Sequence, residues 1–377
     1  MPRKRNHMKP LHILHTESSC GWGGQEIRIL TEILGTQRRG HKVTLITPAH
    51  SNIAREAINS GISTVCIDIE KKRLRGLWAL RAWLKQTKVD VINTHSSTDS
   101  WLVALACATL KNPPAIVRTR HISSPIPNNF ASRWLYQRAT ALTATTGERL
   151  REQLISKMGL QSSNVQSVPT GIDLARYRPL AAAEKLAARQ RFFKTDNPIF
   201  IVGIVATLRS WKGHTYLLDA IKSLPEDVHG LIVGDGPQAA ALQQKIDEDG
   251  LNTRVFMTGN LGDVEIALNA FDCFVLPSYA NEGVPQALMQ AMACGLAVIA
   301  TPVGSVDEIV SHNETGLMVP FKDSAAIAIA ITQIRTDAAL RERLSGAALA
   351  RAQARFGDTI MVDKMQALFY RAAEKRP

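Results

Sequence analysis

Short runs rich in Val, Ile and Leu recur along the chain, separated by amphipathic segments of helix length. Continuous apolar runs, rather than alternating ones, suit strands buried on both faces of a parallel sheet. In the first half these runs predict strands at 11–15, 42–47, 63–69, 90–94, 115–119, 141–145 and 165–168. The pattern restarts at 199–206 and continues through 230–233, 254–258, 273–277, 297–300 and 316–319. A βαβ rhythm that runs twice predicts two doubly wound, Rossmann-like α/β domains with a cleft between them.

Pro and Gly punctuation sets the boundary. Val168-Pro169-Thr170-Gly171-Ile172-Asp173 and Arg176-Tyr177-Arg178-Pro179 precede an Ala-rich polar helix and a fresh strand. The expected division is therefore 1–178 for the N-terminal domain and 179–355 for the C-terminal one. A tail reading as helix from Ala325 to Lys375 is broken near Phe356-Gly357-Asp358, and residues 356–377 are expected to pack back on the first domain.

Length agrees with two domains, since 377 residues exceed the usual reach of one core. Hydrophobic residues at 45% and charged residues at 21% give an ordinary globular balance. No uncharged apolar stretch reaches membrane-spanning length, and the basic start Met1 to Lys9 lacks a signal-peptide apolar region, so a cytoplasmic location is expected. Five scattered cysteines without a Cys-x-x-Cys pair read as reduced, packing thiols.

The net charge of +12 is unevenly shared. Residues 1–178 hold 26 Lys and Arg against 11 Asp and Glu, whereas the remainder is slightly acidic. The first domain should therefore meet something anionic. No nucleic-acid module or aromatic-basic repeat is present, so nucleic acid is not the expected partner. A phosphorylated acceptor or an anionic membrane surface fits better. Residues 71–85 can form a basic amphipathic helix able to lie on lipid, although a crossover helix with its Leu residues against the sheet and its charges in water is the simpler account, so the expected membrane surface rests more on the net charge.

In doubly wound sheets ligands bind beyond the carboxyl ends of the strands. The first such loop, Cys20-Gly21-Trp22-Gly23-Gly24-Gln25-Glu26, lets backbone amides approach a phosphate or sugar, as a plain tight turn also would. Later loops supply His95, then Arg120 and His121, then Thr146-Gly147-Glu148. Imidazole there can share a proton with a substrate hydroxyl, or simply cap a helix. In the second half, Arg209 and Lys212 precede Gly213 in one strand-exit loop, two cations suited to a diphosphate that no metal neutralises. The stretch from Leu276 to Gly295 carries Glu282 and Gly283 at the mouth of a helix expected to start around Pro285. Gln290 lies eight residues further on, about 12 Å along a continuous helix at the usual rise.

That stretch resembles the E-x7-E region of family 4 retaining glycosyltransferases of the GT-B fold. The resemblance covers nearly the whole chain: Trp22 to Glu26, Arg38-Arg39-Gly40-His41, Val168 to Asp173, Lys212-Gly213, Gly234-Asp235-Gly236-Pro237, Glu282-Gly283 and Ala291 to Gly295. It implies that Arg209 and Lys212 bind the donor diphosphate and that Glu282 contacts donor sugar hydroxyls. It further implies that Gln290 reaches the ribose, that Gly23 and Gly24 close over the phosphates, and that His121 borders the reacting centre. Gly234, Gly283 and Val284 belong with the donor side, and His95 and Arg120 with the acceptor side.

Two departures stand out. Gln290 replaces the second Glu, losing a charge-assisted bond, and Thr207 stands where the family often has an Arg that Arg209 replaces. The implied activity is transfer of a sugar from a nucleotide-diphosphate donor to a glycan or lipid-linked acceptor. It needs no metal or other cofactor, retains anomeric configuration by front-face attack, and serves cell-envelope polysaccharide or lipopolysaccharide synthesis at the inner face of the cytoplasmic membrane. Three alternatives are a sugar-nucleotide epimerase or hydrolase, a non-catalytic sugar-binding protein, and a dehydrogenase. The last is disfavoured because neither half has G-x-G-x-x-G after its leading strand.

Overall fold

A computed structural model of the chain describes residues 9–121, 126–195, 197–280 and 282–375; most of the basic start and Asn281 lie outside the described residues. Two compact units emerge, one comprising Met1–Gly171 and Asp358–Pro377, the other Ile172–Gly357.

The first unit runs β1 (His12–Thr16), α1 (Gly24–Arg38), β2 (Lys42–Thr47), α2 (Asn52–Asn59), β3 (Ser63–Cys66), α3 (Leu74–Gln86), β4 (Val91–Thr94) and α4 (Ser97–Ala108). It continues through β5 (Ala115–Arg120), α5 (Phe130–Trp134), β6 (Leu142–Thr145), α6 (Glu148–Met158) and β7 (Val165–Ser167). Its parallel seven-stranded sheet has the order β3-β2-β1-β4-β5-β6-β7. Strand order therefore reverses between β1 and β4, where the register sets His15 beside Asn93. Such a reversal opens a crevice at the carboxyl ends of the two strands, because their crossovers leave to opposite sides.

The second unit runs α7 (Ala182–Phe192), β8 (Phe200–Val205), α8 (His214–Lys222), β9 (Val228–Val233), α9 (Ala239–Glu248), β10 (Val255–Met257) and α10 (Val264–Ala270). Then come β11 (Cys273–Leu276), α11 (Gln286–Ala293), β12 (Ala297–Ala300), β13 (Leu317–Met318), α12 (Ser324–Thr336) and α13 (Ala338–Arg355). The sheet order β10-β9-β8-β11-β12-β13 places its own reversal between β8 and β11.

The last helix, α14 (Asp358–Glu374), belongs to the first unit. Its face of Met361, Val362, Met365, Leu368, Phe369 and Ala372 is fully buried with Leu11, Ile13, Val91, Val117 and Ala144 of the sheet. A Cβ at Gly35 of α1 would stand 2.5 Å from a Val362 methyl, so a bare glycine lets α1 and α14 cross closely.

Two sequence readings need adjustment, and a third is decided between its alternatives. The division falls after Gly171 rather than after Arg178. Residues 172–178 are held by the second unit, where Ile172 N–H donates to Phe356 O at 2.8 Å and the Asn269 amide donates to Arg178 O at 3.1 Å. The helical tail has a further break at Asp337, whose carboxylate caps α13 by accepting from Leu340 N–H at 2.9 Å. Residues 71–85 follow the crossover-helix account: Leu80 and Leu84 of α3 are buried, while Leu74 and Trp78 are 72% and 57% exposed.

Candidate active site

In the first unit the β1–β4 reversal gathers histidines that are far apart in sequence. His15 Nδ1 lies 3.0 Å from His95 Nε2, and His95 Nδ1 lies 3.0 Å from His121 Nε2. The rings of His15 and His95 stack with centroids 5.2 Å apart. A neutral imidazole has one N–H and one lone pair, so the central His95 donates to one of its two neighbours and accepts from the other. Burial holds all three neutral: His15 is lowered to about 3, and His95 and His121 fall well below the ordinary histidine range, His95 also through repulsion from the other two.

The chain leads inward to Glu32, whose Oε1 stands 4.0 Å from His15 Nε2 and accepts from the Asn93 amide at 2.8 Å. Burial pushes the Glu32 carboxyl up to about 7 against the pull of Arg28. Glu17, just past β1, is likewise raised to about 7 by burial and by Asp99, and accepts from Ser19 N–H, the Ser96 hydroxyl and the Gln25 amide. Asp99 caps α4 by accepting from the backbone of His95 and Ser96 at 2.9 and 2.8 Å. That cap fixes the loop carrying His95.

Beside this chain lies a cavity of about 480 Å³ lined by Gln25, His95, Ser96, Arg118, Arg120, His121 and Tyr136, among others. His95, Arg120 and His121 therefore do share one site. Gly23 and Gly24 open α1 immediately before the cavity-lining Gln25. Arg118 lies 4.6 Å over the Tyr136 ring, and Arg120 donates to the Tyr136 hydroxyl at 3.2 Å. His15, Glu17, Arg28 and Glu32 were missed from sequence. The strand-exit position of Glu17 was the available signal, but His15 and Glu32 read as ordinary members of a buried strand and an amphipathic helix.

In the second unit the β8–β11 reversal joins Lys212 to Glu282. Lys212 Nζ donates to Glu282 Oε1 at 2.5 Å, and the Ser278 hydroxyl donates to the same oxygen at 2.6 Å. The pair is nearly out of water, with side chains 19% and 4% exposed. Gly213 makes this possible: its φ is 75°, and a Cβ would stand 2.1 Å from Pro277 O, so the β8 loop lies directly on the β11 loop. Gly234, with φ 136°, presses in the same way on Ala206 O. Arg209 is exposed, with its guanidinium 5.2 Å over the Trp211 ring, and its carbonyl accepts from Lys212 N–H at 3.0 Å.

Helix α11 begins at Gln286 with Pro285 as its cap residue, so Glu282, Gly283 and Val284 lie in the preceding loop. Only the last four of the eight steps from Glu282 to Gln290 are helical, and the continuous-helix length expected between them does not apply. Ser305 N–H ties the loop down by donating to Gly283 O at 3.2 Å. Gln290 sits half-buried on α11.

A third cluster, invisible in sequence spacing, brings together Cys20, His50 and Glu70 from the loops after β1, β2 and β3. All five cysteines are unpaired thiols. No helix among the described residues is long and apolar enough to cross a membrane.

Comparison with known proteins agrees with this geometry. Residues 184–351 match the family described as Glycosyl transferases group 1, and residues 22–176 match Glycosyltransferase Family 4. The chain is 26% identical over 294 residues to an Escherichia coli protein named UDP-Gal:alpha-D-GlcNAc-diphosphoundecaprenol alpha-1,3-galactosyltransferase, covering 74% of this chain and 75% of that one. It is 32% identical over 183 residues to the lipopolysaccharide core biosynthesis glycosyltransferase LpsD of Rhizobium meliloti, covering 48% and 53% of the two chains. Among solved structures, Anabaena HepE in complex with UDP superposes with a TM-score of 0.84 at 22% identity, over 96% of this chain and 100% of that one, which is a likeness of fold.

Proposed function

The chain belongs to the group 1 and family 4 glycosyltransferases, and from that premise we propose that it moves a sugar from a nucleotide-diphosphate donor to a glycan or lipid-linked acceptor, retaining anomeric configuration. The observation that carries this reading is the buried Lys212–Glu282 pair beside Gly213. When the nucleotide leaves, negative charge develops on its β-phosphate. A fixed ammonium in a water-poor loop stabilises that charge without reorganising. Lys212 takes this role with Arg209 as the outer cation. Glu282, held by Ser278 and Lys212, orients hydroxyls of the departing sugar, and Gln290 accepts or donates at the ribose. Gly283, Val284 and Gly234 complete the donor side by leaving backbone close to the ligand. Donor cleavage on this reading uses protein cations in place of a divalent metal.

In the first unit, neutral His121 and His95 share the proton of the acceptor hydroxyl, Arg120 holds an anionic acceptor group, and Gly23 and Gly24 approach the phosphates. Attack comes from the face that the leaving group vacates. The acceptor chemistry follows the relatives, whose names specify a diphosphoundecaprenol-linked sugar and a lipopolysaccharide core. We therefore place the reaction in cell-envelope glycan synthesis, in the cytoplasm at the inner face of the membrane. The surface that would meet anionic lipid is the start of α3. Leu74 and Trp78 stand exposed there among Lys71, Lys72, Arg73 and Arg75, an apolar wedge in a cationic rim.

A donor screen tests the reading. UDP-, GDP- and ADP-sugars are offered to the wild type and to Lys212→Ala, with binding followed by calorimetry and the product anomer by NMR. One donor that turns over to a retained product and fails with the variant supports the proposal. An inverted product removes the front-face step, and turnover without acceptor returns the hydrolase reading. Salt-sensitive pelleting with anionic liposomes, reduced in Leu74→Ser/Trp78→Ser, tests the membrane surface; no pelleting of the wild type removes it.

A further inference from the structure

Cys20, His50 and Glu70 come from three different loops, after β1, β2 and β3, which are neighbours at one edge of the first sheet. His50 Nε2 lies 3.2 Å from Cys20 Sγ and 3.5 Å from Glu70 Oε2, and the three donor atoms all fall within 4.8 Å of one another. A single ring N–H cannot be directed well at a sulfur and a carboxylate together. A ring lone pair turned toward a cation that the sulfur and the carboxylate also face satisfies all three. With zinc–sulfur, zinc–nitrogen and zinc–oxygen bonds of about 2.3, 2.0 and 2.0 Å, tetrahedral angles put ligand atoms roughly 3.3–3.6 Å apart, close to the two spacings that His50 makes here.

The surroundings favour a cation as well. The carboxylates of Glu70, Asp68 and Glu17 all act on the Cys20 sulfur, so the cluster sits in negative potential. Arg73 lies 4.0 Å from Asp68. The Asn52 amide donates to Cys20 O at 3.1 Å, holding that residue in place. Sulfur and imidazole donors select a borderline-soft ion over magnesium or calcium.

From this geometry we propose that Cys20, His50 and Glu70 form a zinc site with three protein ligands and one position left for water. The ion pins the three loops together and anchors the chain that leads through Gly21 and Trp22 to Gly23 and Gly24. The site is separate from the Lys212 loop and does not depend on the transfer mechanism proposed above. On binding, the Cys20 thiol loses its proton to solvent and Zn²⁺ takes the thiolate, with no change of oxidation state.

Cobalt(II) is the probe, titrated into the full, reduced, chelator-treated chain. One equivalent should bind with a thiolate-to-cobalt charge-transfer band in the near ultraviolet, and zinc should displace it. Cys20→Ser should abolish the band, and His50→Ala and Glu70→Gln should each weaken binding by more than about tenfold. Cys66→Ser, which alters the other solvent-accessible thiol, should leave the band unchanged. As a second readout, zinc should raise the Tm of the wild type but not of Cys20→Ser. Absence of a charge-transfer band in the folded wild type overturns the proposal, and so does a band that survives Cys20→Ser. Circular dichroism of each variant shows whether a loss reflects the site or the fold. The same titration after Lys212→Ala keeps this result apart from the donor reading, because that variant should bind cobalt normally.

Discussion

The two units place their polar chemistry at equivalent points of equivalent sheets, yet fill them with opposite kinds of group. At the β1–β4 reversal the first unit holds neutral imidazoles in a row, backed by carboxyls raised to about 7. At the β8–β11 reversal the second unit holds a fixed ammonium–carboxylate pair. Burial produces both outcomes. A buried group with no charged partner keeps the neutral form, and one with a partner at hydrogen-bond distance keeps its charge. Neutral imidazoles suit an uncharged hydroxyl that must share its proton, while fixed charge suits a leaving diphosphate. The basic charge of the first unit reaches its site as well, since Lys72, Arg118 and Arg120 line the cavity beside the imidazoles.

The sharpest way to break this contrast is Lys212→Ala. Loss of one preorganised charge at the leaving group should reduce kcat/KM by about 10²–10³-fold. Because Glu282 then stays buried without its partner, Tm should fall too, so rates are compared where both proteins are folded. His121→Gln should lower kcat by about 10²-fold while leaving donor KM unchanged, as removal of a proton-sharing group predicts. If His121→Gln weakens donor binding as Lys212→Ala does, the division of labour between the units is wrong.

Gly213→Ala probes how the second site is held. A methyl at φ 75° and 2.1 Å from Pro277 O must part the two loops, and a loss of about 2 kcal/mol in stability, with weaker donor binding, is expected from chemical denaturation and calorimetry.

The pH dependence of Tm sharpens the comparison further. Unfolded histidines take protons below about 6.5 that the buried ones refuse, so the unfolded state binds more protons and stability falls as pH drops through 6.5. His95→Gln should flatten that acid limb by up to one proton, about 1.4 kcal/mol per pH unit. Glu32 runs the other way. Its carboxyl at about 7, against an ordinary 4.5, makes the folded state the greater proton binder, and stability falls as pH rises across that window. Glu32→Gln should remove its own share of that decline and leave the share of Glu17, which is raised to about 7 as well. The smallest effect belongs to Gln290→Glu, where a charge-assisted bond replaces a neutral one and donor affinity should rise several-fold, about 1 kcal/mol.

The thirteen apolar runs were legible because strands buried on both faces cannot hide polar residues, and the Lys212–Gly213 and Glu282–Gly283 loops stood out by carrying charge where a strand meets a helix. Gly234 was legible for a similar reason, since bare glycine next to a strand marks a close approach. Harder to see were the residues whose role depends on what lies beside them in the sheet. Residue 172 looks like linker by punctuation, yet its backbone and side chain are captured by the second core. Asp337 looks like the middle of one long helix until its carboxylate is found capping a new one.

The amino-acid sequence by itself determined two parallel-sheet domains, the loops that can bear chemistry, and the cations and carboxylate at their ends, because periodicity, Gly and Pro act locally. Tertiary structure decided the rest. His15, His95 and His121 are separated by 80 and 26 positions and become one hydrogen-bonded row only when strand order reverses. Cys20, His50 and Glu70 converge only because β1, β2 and β3 lie side by side. The protonation of Glu17 and Glu32 depends on burial, a property of neighbours that no spacing along the chain can express.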